Sequence, residues 1–290
     1  MYSGTTLTRA SGRLVGAHQK IDRIARRQLE KLAGGSNCIG GQGCFPPIKT
    51  ILHFEGRNGP DAIKRKSPAQ DEPWHYFSPF DAEDTQLLEL IDNHYKKLVA
   101  ALVVKDDVVA GFESAWLAHA VVDGLTPAHH YPYEEKLDEL RGGLGKDSRQ
   151  SYRDKVLMPG GSNRETIANN WKMWGPKGLL STHFAFEWGV SSILLPMRIS
   201  RRTTPSEAET VNVRTQSATD YFTLLAKEVA AYGFYDDFYK HGWTPKLARS
   251  VRQQLVPTII KAVTLIWYKA VCEAAITPGM PTKAKVAKAT

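Results

Sequence analysis

Cysteine is scarce in this chain, three among 290 residues. An odd, small number excludes the disulfide-stapled scaffolds of small secreted domains. Cys38 and Cys44 lie in "NCIGGQGC", a glycine-rich loop that either closes one small disulfide in an oxidising compartment or holds two free thiols in a reducing one. The two further ligands that a zinc knuckle needs are missing nearby. Cys272 falls in an apolar helical run and reads as core. Uncharged apolar runs are also lacking: "VPTIIKAVTLIWYKAVCEAAI" is interrupted by Lys261 and Lys269, costly in a bilayer, and so reads as a packed amphipathic helix, not a transmembrane span. The opening "MYSGTTLTRASGRLVGAHQK" has no apolar stretch behind a basic start, so no ordinary signal peptide is expected and the sequence reads as cytoplasmic. No internal repeat stands out, and no strand-like alternation approaches the helical periodicity.

What is present is enough apolar material for a core, 42% of residues, and a formal charge of +8. The charge favours an anionic partner such as a phosphate ester, a nucleic acid or an acidic membrane surface, with plain solubility as the equal alternative. The fold class expected is all-α, a single-domain multi-helix bundle over residues 1–277 followed by a disordered basic tail at 278–290.

"AHQKIDRIARRQLEKLAGG" repeats apolar positions at Ile21, Ile24, Ala25 and Leu29 and stops at Gly34-Gly35. Residues 36–80, rich in Gly, Pro and Asn, read as a long irregular segment held down by Phe54, Trp74, Tyr76, Phe77 and Phe80. Two helices follow, separated at Asp106-Asp107. Residues 141–178 read as an inserted excursion with a short helix around Glu165 to Trp174, in which Trp171 and Trp174 either cover a cleft or, more commonly, anchor the insertion to the core. "GLLSTHFAFEWGVSSILLPM" returns to helix, and two more are expected near 215–235 and 245–276.

Chemistry concentrates in the histidines. Four are followed at the fourth residue by an acid: His18 and Asp22, His119 and Asp123, His130 and Glu134, His183 and Glu187. With nine histidines and thirty acids, chance placement gives about one such pair. Residues four apart share a helix face, so an imidazole and a carboxylate can reach one dication, and both ligand types suit zinc. His119, Asp123, His183 and Glu187 lie on apolar helices, where an uncompensated carboxylate is expensive. The ordinary alternative for any one pair is a core histidine bonded to a nearby carboxylate.

The order His119, Asp123, His129, with Pro127 two before the last histidine, then His183 and Glu187 on a later helix, resembles the zinc-dependent phospholipase C superfamily, which also includes single-strand-specific nucleases. Upstream the resemblance extends to Asp61, fourteen residues before His75, and to "GAHQKIDRIA", which supplies His18. It implies an all-helical bundle with two or three zinc ions. Asp61, His75, His119 and Asp123 would hold one, and His129, His183 and Glu187 a second. Asp123 would bridge to a third shared with His18. It also implies hydrolysis of a phosphodiester, either a phospholipid head group or a single-stranded nucleic acid, by a zinc-activated hydroxide. Asp61 and Asp123 are then the catalytic carboxylates. His130 competes with His129, which fits better by its distance from Asp123. The family is largely exported, which makes secretion the alternative to the cytoplasm, and peripheral membrane contact is compatible with a lipid substrate.

The family completes its third zinc with an N-terminal tryptophan, whereas the first tryptophan here is Trp74. Either His53 or Glu55 in "LHFEG" substitutes, or two zincs suffice, or the protein is a non-catalytic, zinc-stabilised binding protein. Tyr76 is a candidate to stack on a base or line an acyl pocket, with a core role equally open, and Lys64 and Arg65 are candidates to meet phosphate. The last alternative is a basic nucleic-acid-binding module whose histidines are core groups, though no DNA-reading motif is present.

Overall fold

The computed structural model describes residues 16–34 and 45–277, apart from Arg57, Arg65 and Ile199. Cys38, Cys44, the tail at 278–290 and Arg65 therefore lie outside the described residues. Among the described residues every regular element is helical, so the chain is all-α.

The helices are α1 (Ala17–Gly34), α2 (Ile48–Glu55), α3 (Pro60–Ile63), α4 (Gln86–Val103), α5 (Asp107–Gly124), α6 (Tyr133–Leu140), α7 (Tyr152–Val156), α8 (Asn163–Trp174), α9 (Leu179–Leu194), α10 (Glu207–Arg214), α11 (Ala218–Ala231), α12 (Phe234–His241), α13 (Pro245–Ser250) and α14 (Val256–Ile276). α5 is the axis of the fold. Residues from Ala110 to Gly124 are buried almost without interruption, so this helix has no solvent face along that length and whatever polar groups it carries lie in the core. Asp106 caps it, its side chain accepting from the backbone N–H groups of Val108 at 3.1 Å and Val109 at 3.0 Å. α4 and α2 pack on α5, and α14 packs on α1 and α4.

The run from Pro245 to Ile276 is nearly continuous, with a π turn at Val251–Leu255 just before Pro257, whose missing N–H cannot continue the α ladder. By length and composition it would cross a bilayer, but 83% of its most apolar window is buried inside the fold, and Cys272 is among its core residues.

Two expectations are corrected. Residues 36–80 are not irregular throughout: "IKTILHFE" forms α2, buries Ile51 and Glu55, and comes close to α5 because Gly111 has no Cβ, which would stand 2.6 Å from the Thr50 side chain. The surrounding Pro and Gly residues conceal an eight-residue helix that packing, not periodicity, stabilises. Phe54 and Phe77 do hold this segment, against Phe112 and Phe222, whereas Phe80 is exposed. Beyond α9 the chain makes more helices than the two expected: α10 starts at a Ser206–Glu209 capping box, and Gly233, at φ 62°, ends the 215–235 run with α12 beginning directly behind it.

Candidate metal centre

Pro127 explains how the site is assembled. α5 ends at Gly124, Thr126 returns its hydroxyl to the Val122 carbonyl at 2.7 Å, and Pro127 opens a short 3-10 turn ending at His130. The turn places His129 inward, buried, beside the last turn of α5. His119 and Asp123 share the face of α5 that looks towards it, and α9 brings His183 and Glu187 from across the molecule.

Eight sequence-predicted ligands, with Glu55, fall into three contiguous groups within each of which the candidate ligand atoms lie within 4.8 Å of one another. The first is Asp61, His75, His119 and Asp123, the second His129, His183 and Glu187, and the third His18, Glu55 and His119. His75 Nδ1 lies 2.6 Å from Asp123 Oδ2, and His119 Nε2 is 3.2 Å from the same oxygen and 3.8 Å from Asp61 Oδ1. Asp123 Oδ1 faces His18 Nε2 at 3.3 Å and His129 Nε2 at 3.9 Å, so one carboxylate stands between the groups.

The second group carries the clearest chemical demand. His129 Nδ1 donates to the His75 carbonyl at 2.7 Å, which leaves Nε2 with a lone pair in the neutral ring. Burial lowers the His129 pKa, favouring that neutral form. Yet Nε2 faces Glu187 Oε1 at 2.7 Å, and His183 Nε2 approaches the same oxygen at 3.2 Å. A lone pair aimed at a buried carboxylate oxygen is repulsive unless a cation stands with them. The backbone carbonyl that fixes the tautomer is the usual outer partner of a metal-binding imidazole.

In the first group, burial and the Lys64 ammonium lower the His75 pKa to about 3, so the ring is neutral, and its buried Nε2 has no hydrogen-bond partner among the described residues. His119 Nε2 is likewise buried with no hydrogen bond there. Burial alone would push the Asp61 carboxyl up, but Lys64, with Nζ 3.6 Å from Oδ1, outweighs it and holds Asp61 well below the usual carboxylate range. A neutral His75 and an ionised Asp61 are the ligand states that a divalent cation requires, whereas at His119 burial is outweighed by Glu55 and Asp123, which raise its pKa well above the ordinary imidazole value, so a cation at Nε2 would displace a proton.

Glu55, not His53, is the residue that meets His18. His53 is solvent-facing beside Asn58, whereas Glu55 is buried with Oε1 2.9 Å from His119 Nδ1 and 3.6 Å from His18 Nδ1. The two rings stack at 4.1 Å, both turning Nδ1 to Glu55 and Nε2 towards Asp123. Glu55 thus acts as an outer carboxylate that aims His119, an arrangement that recurs around zinc, and stands within ion-pair distance of His18. Behind it Asp22 is buried, and burial together with Glu55 raises its pKa well above the usual range. Neither Asp22 carboxylate oxygen has a hydrogen bond among the described residues, so the hydrogen bond to His18 that the spacing suggests does not form.

Of the remaining candidates, His130 turns away: its Nε2 donates to the Gly124 carbonyl at 2.8 Å, and Glu134 is taken by Arg149 at 2.6 Å. Tyr76 stacks on both His129 and Tyr133, each at 5.3 Å between ring centroids, so its ring is engaged inside the fold beside the second group. Lys64 stands at the rim of the first group, one third exposed. Trp171 and Trp174 do not anchor the excursion to the core: both are exposed, and the Trp174 indole N–H donates to Val156 within the excursion itself. Sequence reasoning misses Tyr133, whose place behind Tyr76 has no periodic signal, and the buried His94–Glu113 pair at 2.5 Å, whose members sit on two different helices.

In comparisons with models of protein families, with curated proteins and with solved structures, nothing matches this chain.

Proposed function

We propose that this protein is a zinc-dependent phosphodiester hydrolase of the zinc phospholipase C type, acting on a phospholipid head group in preference to single-stranded nucleic acid. The observation that carries the reading is the convergence of three His and carboxylate groups around Asp123, among them His129 Nε2 set 2.7 Å from Glu187 Oε1. The ligand set, imidazole and carboxylate in groups of three or four, suits zinc, with Asp61, His75, His119 and Asp123 holding one ion and His129, His183 and Glu187 another. His18, with Nε2 3.3 Å from Asp123 Oδ1 and Nδ1 facing Glu55, would be a ligand of a third.

Zinc bound there supplies Lewis acidity and a water of lowered pKa. The chain's own residues do the rest. Asp123 stands between the groups and fixes their spacing, and Asp61 stays ionised beside Lys64. Lys64, at the rim, offers an ammonium to a substrate phosphate. Tyr76 is packed on His129 and Tyr133, so it orients a ligand instead of offering a free ring to a nucleobase, which favours the lipid substrate.

The test is to purify the protein with its metal, count zinc per chain, and assay head-group release from phosphatidylcholine beside cleavage of single-stranded DNA and RNA, with and without chelator. Chelator-sensitive lipid turnover that Asp123→Asn abolishes with the helical fold intact is the expected result. Bound zinc with no turnover on any substrate would instead leave a metal-stabilised binding protein.

A further inference from the structure

The 141–178 excursion presents a second feature that the metal chemistry does not use. α8 is two-faced. Its inner side buries Met173 and ties Asn170 to the Met158 backbone in both directions, Nδ2 to the carbonyl at 2.8 Å and Oδ1 from the N–H at 3.1 Å. Its outer side carries Ile167, Trp171 and Trp174 at positions i, i+4 and i+7, with exposures of 71%, 68% and 48%. The Trp174 indole N–H reaches the Val156 carbonyl at 2.7 Å, next to Leu157, itself 46% exposed. The face is held in place: Ser162 caps the helix by accepting from the Glu165 N–H at 3.2 Å, and the Trp171 ring lies against Gly175. Isolated exposed apolar residues are ordinary, but four on one ordered patch are not.

The charge around this face is one-sided. Residues 141–178 contain eight Lys and Arg against three Asp and Glu, a surplus of five out of the chain's +8. Arg141 is spent inside the excursion and Arg149 on Glu134 of α6, but Arg153, Arg164, Lys172 and Lys177 are exposed, with Arg164 one turn before Ile167. Indole rings and aliphatic side chains flanked by cations match the boundary of an anionic bilayer, where the indole sits at head-group level, the aliphatic groups enter the acyl edge and the basic groups meet lipid phosphates. Ile167 and Leu157 would gain nothing from stacked bases, which sets lipid ahead of nucleic acid.

We propose that the outer face of α8, centred on Ile167 and Trp171, is a docking surface for an anionic phospholipid bilayer. The inner face of the same helix contributes Met173 to the small cluster with Tyr133 and Met158 against which Tyr76 packs. A docked membrane therefore lies one helix thickness from the wall of the second metal group. The docking stands without the metal reading, because it is measured as binding and not as turnover.

The experiment is cosedimentation of the full chain with phosphatidylcholine vesicles and with mixed phosphatidylcholine and phosphatidylserine vesicles, at low and high salt. The variants are the wild type, the double variant Ile167→Ser with Trp171→Ser, and the control Val211→Ser, exposed on α10. Partitioning onto the serine-containing vesicles, weakened by salt and reduced by roughly tenfold or more in the double variant but not in the control, is expected. Thermal melts establish that the variants fold. Absence of partitioning, binding undiminished in the double variant, or equal salt-insensitive binding to neutral vesicles overturns the proposal. So does either rival occupant: self-association, or binding of single-stranded DNA, abolished by the same double substitution while vesicles are ignored.

Discussion

At the scale of single residues, Glu55 has the most consequential placement, because its one oxygen serves two stacked imidazoles. Replacing it by Gln removes the charge that holds His119 Nδ1–H and faces His18 Nδ1, while keeping the shape. Zinc affinity measured by chelator competition should fall by about 10- to 100-fold, the usual cost of losing an outer-shell partner. A fall no larger than that of a remote Glu→Gln control would show that Glu55 does not aim His119. Proton linkage at buried histidines supplies a second prediction. Burial lowers His75 to about 3 and His130 to about 4, against about 6.5 in an unfolded chain. Their folded values are depressed, so the unfolded state binds protons first as pH falls. The stability they contribute is complete above about pH 6.5 and is lost on descent towards about 4 for His130 and about 3 for His75. Urea unfolding of metal-free protein at pH 7 and pH 4.5 should therefore show a marked drop. His130→Gln, which keeps a donor for the Gly124 carbonyl, should make that drop smaller.

At the scale of elements, what the sequence reveals depends on whether a helix carries its own pattern. α1 and α9 announce themselves by spacing, and so do the His119–Asp123 and His183–Glu187 pairs, because residues four apart on one helix meet locally. α2 does not: eight residues between Pro47 and Gly56 are too few for periodicity to speak, and what fixes the helix is the neighbour it packs on. His130 and Glu134 show the opposite failure, since the right spacing across the end of the 3-10 turn leads the two side chains to separate partners. The approach of α2 to α5 gives a prediction at this scale. Gly111→Val would force a branched side chain into the Thr50 contact, costing about 1–3 kcal/mol as an overpacked interface. It should also lower zinc affinity, because Glu55 retreats with α2. Denaturant midpoints and metal titration check both halves, and a destabilised variant with unchanged affinity would separate α2 from the centre.

At the scale of the whole molecule, the centre joins elements distant in sequence, α1, α2, α5, the 3-10 turn and α9, through buried carboxylates that need a compensating charge, either a metal ion or a proton on an imidazole such as His119. Asp123, Glu187 and Glu55 are all buried, with His129 Nε2 2.7 Å from a Glu187 oxygen and His119 Nε2 3.2 Å from an Asp123 oxygen. An ion that binds only the folded chain stabilises it by mass action, about 4.1 kcal/mol at a concentration 1,000 times its dissociation constant. For a chain of this size that shifts the melting temperature by on the order of ten degrees. Removing metal from purified protein and melting it beside the zinc-restored form should show a shift of that order. The restored form of His129→Gln with His183→Gln should recover only part of it, because the second group would be lost while the first remains. Magnesium should not substitute, since imidazole-rich groups favour softer ions over one that prefers water and oxygen. A metal-free protein that melts where the zinc-loaded one does would mean that protons, not ions, separate these groups, with the imidazoles charged and the three groups acting only as a buried ion-pair network.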